Sequence, residues 1–269
     1  ISVILSLFDI DLPILARSKN IFNNNGIKVI VSDYNVTQIC NDKWQTYIFF
    51  KDIDICTPLT FISLDKAFSD IDNYEISFPL SVKPRWGMAS MSIYQANDKE
   101  ELKILYQKIK KEILNTYLKY ESMSDIENSV IIQDKIKGQE YGLDVINDLN
   151  KHYITTLVKK KIAMRAGETD SAITEDNPAM RDLGKIISTN LKHITVLDVD
   201  CFMTDDGSIY VLEMNCRFGG HYHLIIGYSF QYIHTNWIKY KSYSKTLLFH
   251  SPINFSNRMI STDEMNVLV

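Results

Sequence analysis

No apolar run in this chain approaches the roughly 20 residues needed to span a bilayer. The apolar start, Ile1 to Phe8, lacks the basic flank of a secretory leader. The expected location is therefore the cytoplasm. A dominant charge is missing too: 29 Lys and Arg stand against 33 Asp and Glu, a net charge of -4 that gives no support to general nucleic-acid binding. The basic cluster Lys159-Lys160-Lys161 is expected on a solvated strand face. Cys40, Cys56, Cys201 and Cys216 form no C-x-x-C pair and no zinc spacing, so reduced structural thiols are expected. Also absent are a Walker A loop, an internal repeat, a low-complexity tail and any Ser-His-Asp or Cys-His constellation. What is present is 269 residues, 45% hydrophobic and 23% charged, enough for a real core in one domain or two lobes.

The chain opens on a strand, Ser2 to Leu7, then a helix from about Leu12 to Asn23 closed by Gly26, then an apolar strand, Ile27 to Val31. This β-α-β order signals a parallel sheet, and a start directly on a strand predicts a front lobe shorter than that of a complete enzyme. Asp42-Lys43 begins a short helix, Asp65 to Ile71 reads as helical and Phe78 to Lys83 as a strand. Asp98, with Glu101 three residues on, caps a helix whose apolar positions are Leu102, Leu105, Tyr106, Ile109, Ile113, Leu114 and Tyr117. Val130 to Gln133, Tyr141 to Ile146 and Tyr153 to Ala163 read as strands of one antiparallel sheet, and Asn177 to Leu191 as a helix.

The strongest chemical signal is Tyr210 to Gly220, Y-V-L-E-M-N-C-R-F-G-G. On a strand, Glu213, Asn215 and Arg217 project one way and Leu212, Met214 and Cys216 the other. A carboxylate, an amide oxygen and a guanidinium in one row suit a hard divalent cation bound to phosphate oxygens. A solvated edge strand is the plain alternative. Ile194 to Met203 also alternates, placing Asp198, Asp200 and Phe202 on one face, and Thr204-Asp205-Asp206-Gly207 is a turn signal. A hairpin with Phe202 facing Ile209 sets Asp200 opposite Val211 and Asp198 opposite Glu213. Carboxylates so crowded resist joint ionisation, and a bound magnesium would relieve them.

Weaker signals accompany it. Lys83 leaves a strand end where Pro84 fixes the backbone, and the loop from Trp86 to Ser92 is small but holds one glycine. An ordinary turn beside a surface lysine competes with a phosphate-covering loop. The connection Gln133 to Glu140 offers backbone groups to a flat heterocycle, with Glu140 placed to accept from ribose hydroxyls; a hairpin containing a glycine competes. Arg165, in a cationic loop from Met164 to Thr169, is a candidate phosphate ligand or a surface arginine. His221 and His223 follow Gly219-Gly220, where a histidine is more often structural than catalytic.

In their order, D-K, K-P-R, Q-D-K-I-K-G-Q-E, R-A-G-E-T, D-x-D and E-x-N-x-R-x-G-G, these segments resemble the ATP-grasp superfamily. The likeness is nearest to the branch similar to one synthetase half of the carbamoyl phosphate synthase large subunit, from about Ser2 to Asn236. It implies an α/β and α+β ATP-grasp fold. A partial, doubly wound pre-ATP-grasp lobe covers 1–41, a small ATP-grasp subdomain 42–133 and a C-terminal subdomain with the metal site 134–269. The two subdomains clasp ATP about a hinge near Gln133 to Ile136.

By the same resemblance Lys43 and Lys83 hold ATP phosphates beneath a mobile loop, Gly87 to Ser90. Gln133, Asp134 and the backbone of Ile136 form the adenine hinge, Glu140 accepts from ribose and Arg165 approaches the phosphates. Asp200, Glu213 and Asn215 hold Mg2+ or Mn2+, and Arg217 stabilises the transferring phosphoryl group. Two features depart from the pattern: the loop after Lys83 is poor in glycine, and the spacing from Gly138 to Glu140 is short. The implied activity is an ATP-dependent carboxylate-amine ligase working through an acylphosphate, with Arg217, Lys83 and Arg165 catalytic. Its partners would be small carboxylate and amine substrates, with room for a homodimer and without nucleic acid or membrane. Phosphorylation of a small acid with a partner chain, as in carbamoyl phosphate synthase, and a non-catalytic nucleotide-binding module are the alternatives.

Overall fold

The computed structural model describes residues 1–87, 90–165 and 168–218, with positions 165 and 168 described in their backbone alone. Strands β1 (Val3–Leu5) and β2 (Lys28–Ile30) pair in parallel, with α1 (Asp11–Asn24) crossing between them, so the β-α-β opening is present. Leu12 and Ala16 of α1 pack with Val29 and Val31 in the larger core. Helix α2 (Tyr34–Asn41) has no counterpart in the sequence pattern; α3 (Lys43–Asp52) follows at once. Asp42, in extended backbone between them, caps α3 by accepting from Trp44 N at 3.0 Å and Gln45 N at 3.4 Å.

Two antiparallel sheets follow. The smaller has the order β3 (Thr60–Phe61), β6 (Val130–Asp134), β4 (Leu80–Pro84), β5 (Tyr94–Ala96). Helices α4 (Leu64–Asp72), α5 (Lys99–Leu114) and the short α6 (Lys119–Ser122) belong to the same part of the chain, and Leu80, Val82, Leu102, Ile109, Ile113, Val130 and Ile132 share its core. Asp98 caps α5 through Glu101 N at 2.8 Å, as the sequence predicts, but Glu101 reaches back to Asn97 N instead of Asp98. Leu114 and Tyr117, expected on the buried face, are exposed because the helix stops at Leu114 and the next turn leads away. Strand β6 also departs from expectation. It pairs with β3 and β4, whose edges it satisfies on both sides, and so leaves the sheet formed by the later strands.

The larger sheet has the order β11 (Ile209–Asn215), β10 (Thr195–Met203), β7 (Gln139–Asn147), β8 (Tyr153–Arg165), β9 (Glu168–Glu175), with α7 (Pro178–Leu191) packed on it. Arg165 thus ends β8, paired with Glu168 at the start of β9. Between the sheets the chain passes so close to β10 that a Cβ on Gly138 would sit 2.4 Å from the Met203 carbonyl oxygen. Among the described residues no helix is long and apolar enough to cross a membrane. Cys40, Cys201 and Cys216 are buried and Cys56 is exposed, all four as free thiols.

The β10–β11 hairpin forms in a different register from the one expected. Its turn, with Gly207 at φ +83°, brings Met203 opposite Ile209 and Phe202 opposite Tyr210. A bulge then leaves Leu212 without a partner, so Asp200 lies opposite Glu213 and Asp198 opposite Asn215. The inserted residue shifts the phase of β11. Val211 and Met214, three apart, both enter the core, where simple alternation places Leu212 and Met214.

Candidate active site

Alternation along four strands gathers polar side chains on one face of the larger sheet. Registers align Lys159, Gly142, Asp200 and Glu213 in one row across β8, β7, β10 and β11, and Leu157, Asp144, Asp198 and Asn215 in the next. The expectation that Lys159, Lys160 and Lys161 are solvated is corrected here, since none of the three is exposed. Lys159 Nζ lies 2.7 Å from Asp144 Oδ2, and Lys161 Nζ bridges Glu140 at 2.7 Å and Asp200 at 2.6 Å. With Gly142 between them the stems of Lys159 and Lys161 pack over its bare Cα.

The ends of the hairpin draw in the rest of the chain. Lys43, the first residue of α3, reaches Glu213 Oε2 at 3.2 Å and donates to the Gly87 carbonyl oxygen at 2.7 Å. Arg217 is held between Asp198 at 2.9 Å and Asp9 at 3.1 Å, the latter from the segment after β1. Lys43 is itself positioned by a buried clamp: Arg85 donates to both carboxylate oxygens of Asp42 at 2.7 Å and to Asp125 at 2.9 Å. Lys83, on β4, is 5% exposed, and its side chain makes no hydrogen bond or ion pair among the described residues.

The electrostatics follow from this pairing. Burial lowers the Lys83 pKa to about 8, against the pull of Glu213 and Asp200. Burial raises Asp200 to about 6, with Asp198 adding to it and Lys161 opposing. Burial also disfavours the Glu213 carboxylate, but Lys43 and Lys83 outweigh it and hold the group at about 2. For Lys161, Asp200 and Glu140 outweigh burial and raise the pKa. Asp144, buried beside Asp198, is pushed up to about 7 despite Lys159. The crowding of acids is thus relieved in part by cations of the chain itself.

Asp200, Glu213, Asn215, Arg217, Lys43, Lys83 and Glu140 therefore come together with Gly87. The hinge residues stand apart from this cluster: Gln133 is buried with its amide nitrogen on Thr60 Oγ1 at 2.9 Å, Asp134 accepts from Lys135 N at 2.8 Å, and Ile136 is half-buried. Ser90 is exposed with φ +52°. The loop positions between Gly87 and Ser90, the Arg165 side chain, His221 and His223 lie outside the described residues. Sequence reasoning missed Asp9, Asp42 and Lys161. Lys161 was signalled by its alternation with Lys159; nothing local marks Asp9, which meets Arg217 across 208 positions.

Among the described residues no group of three or more His, Cys, Asp or Glu side chains is disposed to hold a metal. The set at the hairpin is smaller, two carboxylates and an amide. Oxygen donors of this kind fit a magnesium ion that keeps waters and completes its shell from phosphate oxygens.

Comparison with known proteins bears on the same segments. A family model described as an ATP-grasp domain matches residues 76–224. The carbamoyl phosphate synthase large chain of Thermoanaerobacter sp. (strain X514) is 22% identical over 200 residues, covering 72% of this chain and 18% of that protein. The vancomycin/teicoplanin A-type resistance protein VanA of Enterococcus faecium is 22% identical over 215 residues, covering 73% of this chain and 58% of that protein. The chain thus spans less than two thirds of the length of either. The biotin carboxylase domain of Hydrogenobacter thermophilus 2-oxoglutarate carboxylase, solved with MgADP, ADP and bicarbonate, superposes with a TM-score of 0.62 at 16% identity, over 78% of this chain and 47% of that one. With the family model covering more than half of its length and the two-sheet architecture shared, the chain belongs to the ATP-grasp family.

Proposed function

We propose that the chain is an ATP- and magnesium-dependent carboxylate-amine ligase acting through an acylphosphate. The observation that carries this reading is the buried Lys83, without an ion pair among the described residues, close enough to Glu213 and Asp200 to feel both. A buried cation without a partner is costly unless an anion completes it, and a nucleotide phosphate is such an anion. The MgADP held by the related biotin carboxylase domain and the ligase chemistry of the family support the same reading.

In this reading Lys43 and Lys83 take phosphate oxygens, Arg165 approaches them, and Gly87 to Ser90 cover them. Gln133, Asp134 and Ile136 form the adenine hinge, with Gln133 contributing its backbone because its side chain is tied to Thr60. Glu140 accepts from ribose once Lys161 is shared with the nucleotide. Asp200, Glu213 and Asn215 hold magnesium, or manganese in its place, which when bound supplies charge neutralisation at the γ-phosphate. Arg217, steadied by Asp9 and Asp198, faces the transferring phosphoryl group. A substrate carboxylate oxygen attacks the γ-phosphorus as the bond to ADP breaks; a neutral amine nitrogen then attacks the acyl carbon, the acyl–phosphate bond breaks, and the nitrogen's proton leaves with the phosphate. The division into 1–41, 42–133 and 134–269, a cytoplasmic location, small-molecule carboxylate and amine partners and a homodimer belong to the same proposal.

The test is ADP release by the purified chain with ATP, magnesium and mixtures of carboxylic acids and amines. The proposal expects release that requires both an acid and an amine. Binding of MgATP without release from any mixture would replace it with a nucleotide-binding module, and release with acid alone would favour phosphorylation of a small acid.

A further inference from the structure

A small cleft opens beside this site, and two of its walls, Asn41 and Glu121, take no part in the phosphoryl chemistry above. It is lined by Asp9, Asn41, Lys43, Gly87, Glu121 and Asn215, with room inside for about one water-sized group. Asp9, 7% exposed, gives Oδ2 to Arg217 while its Oδ1 is buried with no hydrogen-bond partner. Asn41, 9% exposed, directs Nδ2 at the Asp9 carbonyl oxygen at 2.9 Å and at Glu121 Oε1 at 3.5 Å. Both of those groups are acceptors, which fixes the amide orientation and leaves Asn41 Oδ1 buried and unpartnered. Glu121, from α6, has no ion pair among the described residues, and its carboxylate receives only that long Asn41 bond. The cation on the wall, Lys43, is turned to Gly87 and Glu213. Burial pushes the Asp9 and Glu121 carboxyls above their ordinary range.

We infer that this cleft holds an ammonium-type nitrogen, either ammonium or the protonated head group of a small primary amine. An ammonium-type nitrogen brings positive charge and three N–H donors, which answer Asp9 Oδ1, Asn41 Oδ1 and Glu121. A carboxylate or phosphate would find Lys43 already turned to Gly87 and Glu213 and would meet the acceptors Asp9 Oδ1, Asn41 Oδ1 and Glu121. The size admits the head group and leaves the rest of the amine to the open mouth. That the amine is the acceptor of the ligase reaction, waiting beside Asn215 and Arg217, rests on the ligase proposal; its binding does not.

The experiment is the thermal unfolding midpoint of the full chain at constant ionic strength in sodium, potassium, ammonium, methylammonium or tetramethylammonium chloride, each with and without MgATP. Ammonium and methylammonium should raise the midpoint above that in sodium by about 3 °C at tenfold their dissociation constant. Tetramethylammonium, which has no N–H, and potassium should not, and Glu121→Gln should lose the difference. Equal shifts in potassium and ammonium, or no shift in ammonium, would overturn the inference, and the salt series on the unmodified chain decides this even if the variant fails to fold. The MgATP shift separates the two proposals: its absence counts against the nucleotide site, while its presence without an amine shift counts against the cleft alone.

Discussion

Lys83 and Lys161 approach the same acids from different sheets, and their surroundings differ in kind. On the larger sheet Lys161 is clasped by Glu140 and Asp200, which raise its pKa above that of a free lysine. On the smaller sheet Lys83 is buried, has no ion pair among the described residues, and its pKa is lowered by burial to about 8 despite the pull of Glu213 and Asp200. The larger sheet pairs its lysine within hydrogen-bond distance; the smaller presents a cation that, among the described residues, feels Glu213 and Asp200 without pairing with either. In the proposed function this difference puts the nucleotide phosphate on the side of Lys83 and the magnesium ligands on the side of the hairpin.

Each half of this comparison can be broken. The largest effect is expected from Glu213→Ala, which removes the acid faced by both Lys43 and Lys83. Magnesium-dependent ADP release should fall at least about a hundredfold; unchanged release would sink the metal assignment. Next comes Asp42→Ala, which frees the buried Arg85 and uncaps α3, and should lower unfolding free energy by about 3 kcal/mol in urea denaturation. A loss within experimental error would show that the clamp does not position Lys43.

The two lysines should then respond with opposite sign. Lys83→Met removes a charge whose burial outweighs the pull of Glu213 and Asp200 and should stabilise the free chain by about 1–2 kcal/mol. Lys161→Met strands Glu140 and Asp200 and should destabilise it by about 1–3 kcal/mol. Shifts of the same sign in urea midpoints would erase the contrast.

The smallest effect concerns a group far from this chemistry. His193 is buried with Nε2 3.1 Å from the Val145 carbonyl oxygen, and burial lowers its pKa from 6.5 to about 4. Its contribution to stability is complete above 6.5 and is lost as pH falls toward 4, because the unfolded chain binds a proton that the native state refuses. His193→Gln should flatten the dependence of unfolding free energy on pH in that window by up to about one proton; an identical slope would contradict the assignment.

Much of the site was legible because alternation on strands is local. Glu213, Asn215 and Arg217 could be grouped from spacing, and Asp200 from the turn that follows it. The register could not, since the turn pairs Met203 rather than Phe202 with Ile209 and one inserted residue at Leu212 then shifts the pairs beyond it again. The lysine cluster was misread for another reason: the partners of Lys159 and Lys161 lie on other strands, 39 positions away in the case of Asp200. A strand position looks solvated when its countercharges are remote in sequence. The same distance hid Asp9 and the sheet to which β6 belongs.

The most direct test is the affinity of MgATP for the unmodified chain and for Lys83→Met, measured by calorimetry without acid or amine. If Lys83 awaits a nucleotide phosphate, the variant should bind at least about tenfold more weakly while folding at least as stably. Equal affinity in the two proteins would contradict that account of the site.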